Sequence, residues 1–466
     1  MVARHDASGW WLADAGPVEP EPALGGDVSA DVAVVGGGFA GMWTAWEVIA
    51  AEPEASVVIV EADEHCGAGP SGRNGGFANC LWFSLPAMRT RFGDGPAIEA
   101  ARASQVAVDA IGEFCRSEGV DAHFRQSGYM QVSTTPIHDG AWSRPIEACA
   151  ELGEPAAARE LSPAEVVERC ASPIFRGGAL YPGAATVHPA RLALGLRRRL
   201  IDRGVRIFEA TPALEVREGP DGVVVRTPRG RVNAGRVAMA AGGRLAAFPP
   251  TRRRLTLTSS HMVITEPVPD VLDELGWRGG ECITDSRAMV HYFRTTSDDR
   301  IAFGWGGGKV VPGSRTDGRT ELDPGLVGEV GEHLLRFFPA LEGRRLDHGW
   351  GGPIDVSPSH LPVVMPIGER VAAGFGFTGN GVGPSRLLAR CLASLALDRR
   401  DAMSRLALVD PKPPAVPPEP LRFIGGSIIR AALLRSETVQ EGGLQPDPFT
   451  ALVTGVPERM GIHVGR

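Results

Sequence analysis

The stretch Asp31–Ala50, DVAVVGGGFAGMWTAWEVIA, decides the fold. Asp31–Val35 is a short β-branched run of the kind a buried parallel strand uses. Glycines interrupt it, and MWTAWEVIAAE resumes with apolar residues three and four apart, the spacing of a helix packed on a sheet. Beyond Pro53, SVVIVEAD gives a second buried strand ending on Glu61. Gly36, Gly38 and Gly41 hold the G-x-G-x-x-G spacing between the first strand and the helix. Strand, glycine turn, helix, strand and acid form a dinucleotide fingerprint in which each part has a task. Gly36 permits the tight turn, Gly38 brings backbone to a pyrophosphate, and Gly41 lets helix and strand pack closely. Phe39 and Ala40 complete the turn, where free N–H groups and the positive end of the helix dipole meet phosphate. Glu61, followed by Ala62, is placed to accept from a ribose diol and to repel a 2′-phosphate. These residues do not separate NAD from FAD.

The rest of the chain narrows the class. Its 466 residues are enough for two or three domains, and 43% hydrophobic content supports a sizeable core. A net charge of −7 argues against a nucleic-acid or anionic-membrane partner. The seven cysteines (66, 80, 115, 149, 170, 282 and 391) are scattered and never form CxxC, which suggests reduced thiols in the cytoplasm. MVARHDASGWWLADAG lacks the apolar core of a signal peptide, and the opening stretch, with its glycines and Glu47, spans a bilayer poorly. No metal-ligand spacing, nucleophile elbow or second dinucleotide fingerprint appears, so neither a metal site nor an NAD(P)H-fed reductase is expected.

The segment HCGAGPSGRNGGFAN (His65–Asn79) is too long and glycine-rich for an ordinary strand-to-helix link. Here the chain resembles the amine-oxidising flavoproteins of the D-amino-acid oxidase superfamily, and within them the gamma-glutamylputrescine oxidoreductase and aminophosphonate oxidoreductase group. Pro70 departs from that group's small residue. The resemblance implies FAD, with Ser71 at its pyrophosphate and Arg73, Asn74 and Gly75 beside the flavin ring; for Arg73 the alternative is a surface charge. It also implies a backbone contact to adenine at Ala213 and a glycine-rich turn under the flavin at Gly242. VAAGFGFTGNGVGPSRLLARCLASLAL (Val371–Leu397) is the second diagnostic segment, where Gly376, Gly379, Asn380, Gly381 and Val382 lead into a helix whose positive end would face the flavin. Many relatives have His at the place of Asn380. Covalent-flavin patterns are not matched, which implies noncovalent FAD.

The expected architecture is α/β: a Rossmann-like FAD-binding domain of the glutathione-reductase type with an inserted antiparallel-sheet α+β substrate domain. Residues 28–85, 185–250 and 345–397 are assigned to the first, 86–184 and 251–344 to the second, and 398–466 to a C-terminal extension. LTLTSSHMVITEP, AMVHYFRTT and RIAFGWGG alternate as antiparallel strands. GWGGGKVVPGS reads as a loop, DPKPPAVPPEP as an extended spacer, TRRRL (Thr251–Leu255) as a surface charge run, and LRFIGGSIIRAALLRSE as a helix packed back on the body.

An amine with a C–H beside nitrogen can pass a hydride to flavin N5, giving an imine that water hydrolyses, so no protein nucleophile is required. Oxygen or another electron acceptor completes the cycle, and the absence of Lys in RIAFGWGG leaves oxidase and dehydrogenase open. Substrate contacts are expected from DSRAMVHYFRTT. As a strand it puts His291 and Phe293 on one face and Tyr292 and Arg294 on the other. Tyr292 and Arg294 are candidates to clamp an anionic substrate group, against packing and a solvated charge as the plain alternative. His291 is the candidate general base, against a hydrogen-bonded structural histidine. His360 is a candidate to approach the ring. Two other functions stay in view: oxidation of a 2-hydroxy acid, and a non-catalytic flavin-binding subunit.

Overall fold

The computed structural model describes residues 2–315 and 318–462. The run around Asp31 forms the strand Val28–Val35, flanked in parallel by Val57–Val60 and Gly230–Met239, with Val34 opposite Ile59 and Ala238. Arg206–Phe208 extends this sheet on one side and Val371–Phe375 on the other, both parallel, and Val363–Pro366 closes it antiparallel. The start of Gly230–Met239 also carries an antiparallel ribbon, Gly222–Thr227 and Glu215–Gly219. Central strands buried on both faces explain why the sequence shows continuous valine runs here instead of alternation. The helix Phe39–Ala51 packs on the helices Val382–Ala396 and Asp94–Ser117. Trp43 and Trp46 meet Phe114 edge-on at 4.8 and 4.9 Å.

A second, nine-stranded sheet runs in the order 2–5, 346–356, 256–265, 301–305, 291–295, 282–285, 129–133, 177–181 and 159–161. The three runs expected as antiparallel strands are neighbours in its middle. One face sends Val263, Phe303, Phe293, Ile283 and Met130 into a core with the helix Pro324–Phe337, Trp277 and Phe338. Leu346–Val356 belongs to this sheet, pairing with Thr256–Thr265 over its length, whereas the sequence had the chain back at the dinucleotide sheet from 345. Gly349, Gly351 and Gly352 hide the strand signal by removing side chains from the alternation. The helix Asp94–Ser117 likewise packs on the dinucleotide side, because its buried alanine-rich face meets the tryptophans of Phe39–Ala51.

The tail helix Leu421–Glu441 docks on the second sheet, where the Glu437 carboxylate accepts from the Met289 N–H at 2.7 Å and Arg430 Nε donates to Gly308 O at 2.7 Å. The proline-rich spacer is pinned to the segment 251–255: Val416 N–H donates to Arg253 O at 2.8 Å, and Arg254 donates to Pro413 O. TRRRL is therefore a seat for the tail, with Thr251 and Leu255 buried, and not a bare charge run. All seven cysteines are buried free thiols. Among the described residues no helix is long and apolar enough to cross a membrane.

Candidate active site

The glycine turn is built by exclusion of side chains. Gly36 has φ +108°, and a Cβ there would sit 2.6 Å from Ala240 O. A Cβ on Gly41 would sit 1.9 Å from Gly36 O, so only glycine lets the helix start this close to its strand. The helix begins at Gly38 without a side-chain cap, and Phe39 N–H donates to Ser71 Oγ at 2.8 Å. Glu61, 8% exposed, accepts from Gly37 N–H at 2.5 Å and Asp63 N–H at 2.7 Å. Burial raises its pKa above the usual carboxylate range, and those two N–H groups oppose the rise. Cys66 N–H donates to Glu209 at 2.6 Å, and Arg197 grips the same carboxylate through two bonds of 2.7 and 2.8 Å. That buried pair fixes where the long loop leaves the second strand.

Within the loop Asn74 bonds its own backbone, accepting from Gly76 N–H at 2.7 Å and donating to Ser71 O at 2.8 Å. Arg73 Nη1 donates to Ala7 O at 2.7 Å, and Nη2 lies 3.6 Å from Glu321, so the guanidinium ties down the N-terminal segment. Its carbonyl accepts from Trp350 Nε1 at 2.8 Å. The second glycine segment comes to the same place. Gly376 and Gly379 have φ +79° and +76°, and the helix Val382–Ala396 begins at Gly381, again without a side-chain cap. A Cβ on Gly383 would fall 2.2 Å from Asn79 O, which places this helix start against the end of the loop around Arg73. Asn380 Oδ1 is buried without a hydrogen-bond partner among the described residues, Val382 is buried, Ala213 is half-buried, and Gly242 has φ +51° with open space at its Cβ position.

The nine-stranded sheet turns its other face to this loop. Laterally paired residues share a face, so Gln131, Thr284, Tyr292, Gly304, Met262 and Trp350 form one row across it. The chain has three tyrosines, and all three stand on this face. Tyr129 and Tyr181 stack at 5.4 Å, and Phe83 meets them at 5.9 and 6.3 Å. Tyr129 OH bonds Thr284 Oγ1 at 2.6 Å, and Tyr292 OH bonds Ser260 Oγ at 2.8 Å. A Cβ on Gly75 would lie 3.2 Å from the Tyr292 ring, so that residue borders the loop.

Arg294 shares the Tyr292 face, as expected, with two of its three nitrogens taken by backbone carbonyls. Its Nη1 donates to Val187 O at 2.5 Å and Gly76 O at 3.3 Å, and Nε donates to Thr295 O at 2.9 Å. Burial lowers its pKa to about 10. It anchors the glycine loop to the sheet. His291 is corrected from general base to structural histidine. It points to the opposite face, 1% exposed, with Nδ1 2.6 Å from Asp285 Oδ2 and Nε2 2.9 Å from His333 Nδ1. Burial lowers its pKa, with Asp285 opposing. His360 sits half-buried in the loop after Leu346–Val356 with φ +55°. Lys309 Nζ is 2.7 Å from Asp323.

Sequence reasoning missed Asp355, hidden in a glycine-rich stretch. Its Oδ2 accepts from Gly376 N–H at 2.6 Å and so holds the second glycine segment. Burial pushes its pKa up to about 7, against the N–H groups of Gly376 and Phe377. The folded protein therefore binds this proton more tightly than the unfolded chain, and stability falls as pH rises from the ordinary 3.8 toward about 7. Asp355→Asn is expected to flatten that fall, gaining about 1–4 kcal/mol at pH 8 and nothing below pH 4, as read by urea unfolding across pH.

The family model of the FAD dependent oxidoreductases (DAO) matches residues 31–395. The chain belongs to this family. It is 27% identical to the gamma-glutamylputrescine oxidoreductase of Escherichia coli over 418 residues, covering 87% of this chain and 93% of that one. It is 26% identical to the probable oxidoreductase OrdL of Haemophilus influenzae, covering 80% and 84%. In fold it is similar to the glycine oxidase of Geobacillus kaustophilus, with TM-score 0.66, 23% identity and coverage of 82% of this chain and 98% of that one. The α/β architecture read from the sequence is thereby established, and the protein is an FAD-dependent oxidoreductase. The residues present fit the cofactor. Two helix starts have glycine N-caps that offer no side-chain cap, Ser71 sits on the Phe39 N–H, Glu61 supplies a buried acceptor, and side chains at Gly36 and Gly41 would destroy the cradle.

Proposed function

We propose that the chain oxidises the C–N bond of a small amine or amino acid derivative with noncovalently held FAD. The observation that carries this reading is the juxtaposition of Tyr292, bonded to Ser260, with Gly75 of the glycine loop. Bound FAD supplies the acceptor for a hydride from the carbon beside nitrogen. Ser71, Glu61 and the two helix starts would hold it, with Gly75 and Asn380 at the ring. The Tyr292 and Ser260 hydroxyls orient the amine nitrogen, and the aromatic group of Tyr129, Tyr181 and Phe83 keeps water from the reacting carbon. Arg294 keeps the loop in register with the sheet. The resulting imine hydrolyses in water, and oxygen or another acceptor takes the electrons.

Noncovalent attachment is supported by the thiols nearest the loop. Burial holds Cys66 and Cys80 well above the ordinary thiol range, so neither presents a thiolate. The seven free thiols support a reducing, cytoplasmic setting. The E. coli relative's name supports an amine as donor. The purified protein should carry a flavin spectrum that amines bleach anaerobically. Bleaching by 2-hydroxy acids alone would transfer the assignment to a hydroxy-acid dehydrogenase. Bleaching by no donor, with a co-purifying partner, would favour a flavin-binding subunit.

A further inference from the structure

Five arginines are buried among the described residues: 197, 287, 294, 386 and 422. Four have a carboxylate partner, Glu209, Asp285, Glu47 and Glu419, at 2.7, 3.2, 2.8 and 2.9 Å. Arg294, 4% exposed, has none among the described residues. A buried guanidinium with no counter-charge is costly, and sites of this kind recognise anions. Two of its nitrogens go to the carbonyls of Val187, Gly76 and Thr295, and Nη2 has no hydrogen-bond partner among the described residues. The side chain lines a pocket of about 90 Å³ between the helix Gly9–Ala15, the start of the helix Pro189–Asp202 and the turn at Thr296–Asp298.

The walls define the ligand. Trp10 and Trp11 give two flat apolar sides. Asp14 is spent on His188 Nε2 at 3.1 Å and Arg191 Nη2 at 3.2 Å, and Asp298 on Arg300 Nε at 2.6 Å. Burial pushes His188 down to about 4, so it is neutral at pH 7. His123 Nδ1 bonds Ser297 Oγ at 2.9 Å, a polar pair at the rim. Two carboxylates in the lining disfavour a dianion, while the one guanidinium nitrogen left over, Nη2, suits a single oxyanion. We infer that this pocket, whose lining does not include Tyr292, is a binding site for a small monocarboxylate with a short apolar tail, held by Arg294. Because Arg294 also holds Gly76 O, occupancy stiffens the glycine loop.

The FAD-loaded protein is titrated with sodium acetate, with sodium chloride and sodium phosphate at equal ionic strength as comparisons. Thermal unfolding and calorimetric titration are recorded. Acetate at a large excess over its Kd is expected to raise the midpoint by about 3 °C over chloride and to give saturable heat. Ser297→Trp fills the pocket from its exposed rim while keeping the arginine in the chain and should abolish both signals, and Arg294→Met should weaken binding at least tenfold. If Arg294→Met does not fold, Ser297→Trp decides. Equal shifts in acetate and chloride, a phosphate-only effect, or acetate binding unchanged in Ser297→Trp each overturn the proposal.

Discussion

Gly41→Val is expected to yield protein without a flavin band and with FAD affinity reduced at least a hundredfold. A Cβ at this position would lie 1.9 Å from Gly36 O, a backbone atom that cannot swing aside as a side chain end would. Relief requires the helix Phe39–Ala51 to lift from Val28–Val35, at about 1–3 kcal/mol or more in overpacking. That movement carries the N–H at Ala40, and the Ser71 hydroxyl bonded to Phe39 N–H, away from the phosphates they would meet. Gly425→Val is the control, since a Cβ there meets nothing within 4 Å, and it should retain the cofactor. Absorbance of the purified proteins, before and after FAD is added, reads the difference. A Gly41→Val protein with full flavin content would refute the cradle.

Arg197→Met should be the most damaging single change outside the turn, costing about 3–5 kcal/mol. Glu209 has a fully buried side chain that accepts from Cys66 and Glu21 N–H groups and is neutralised by Arg197 at 2.7 Å. Removing the guanidinium leaves a buried charge, and the carboxylate must protonate or drag the loop outward. The urea midpoint should drop, and FAD should leave before global unfolding because the loop begins at Cys66. Replacing both members, Arg197→Met with Glu209→Leu, should recover much of the loss. Stability unchanged in the single variant would show that the pair is not what holds the loop.

The dinucleotide half was legible because its signals are local. A valine run, three glycines at fixed spacing and a terminal acid lie within about thirty residues, and each answers to backbone geometry. Strand polarity in the second sheet was also legible at 256–305, where apolar residues alternate. What stayed hidden depends on distant neighbours. Leu346–Val356 owes its place to pairing with Thr256–Thr265, and its glycines carry no pattern. Tyr292, Arg294 and His291 were rightly divided between two faces by alternation, yet alternation does not say what each face meets. His291 meets Asp285 and His333, and Arg294 meets carbonyls of the glycine loop. Tyr129 and Tyr181 come from the stretch 86–184, assigned to the substrate domain without any strand being picked out in it, and no spacing rule connects them to Tyr292.

The pairing of Val2–His5 with Leu346–Val356 has a consequence for how the molecule is made. An outer strand of the larger sheet cannot be completed until nearly three-quarters of the chain has left the ribosome, and the tail helix seals the middle later still. Such long sequence separations slow the search for the native pairing and leave apolar strand edges unprotected meanwhile. Refolding from urea should therefore lose yield as protein concentration rises, and synthesis should benefit from a holding chaperone.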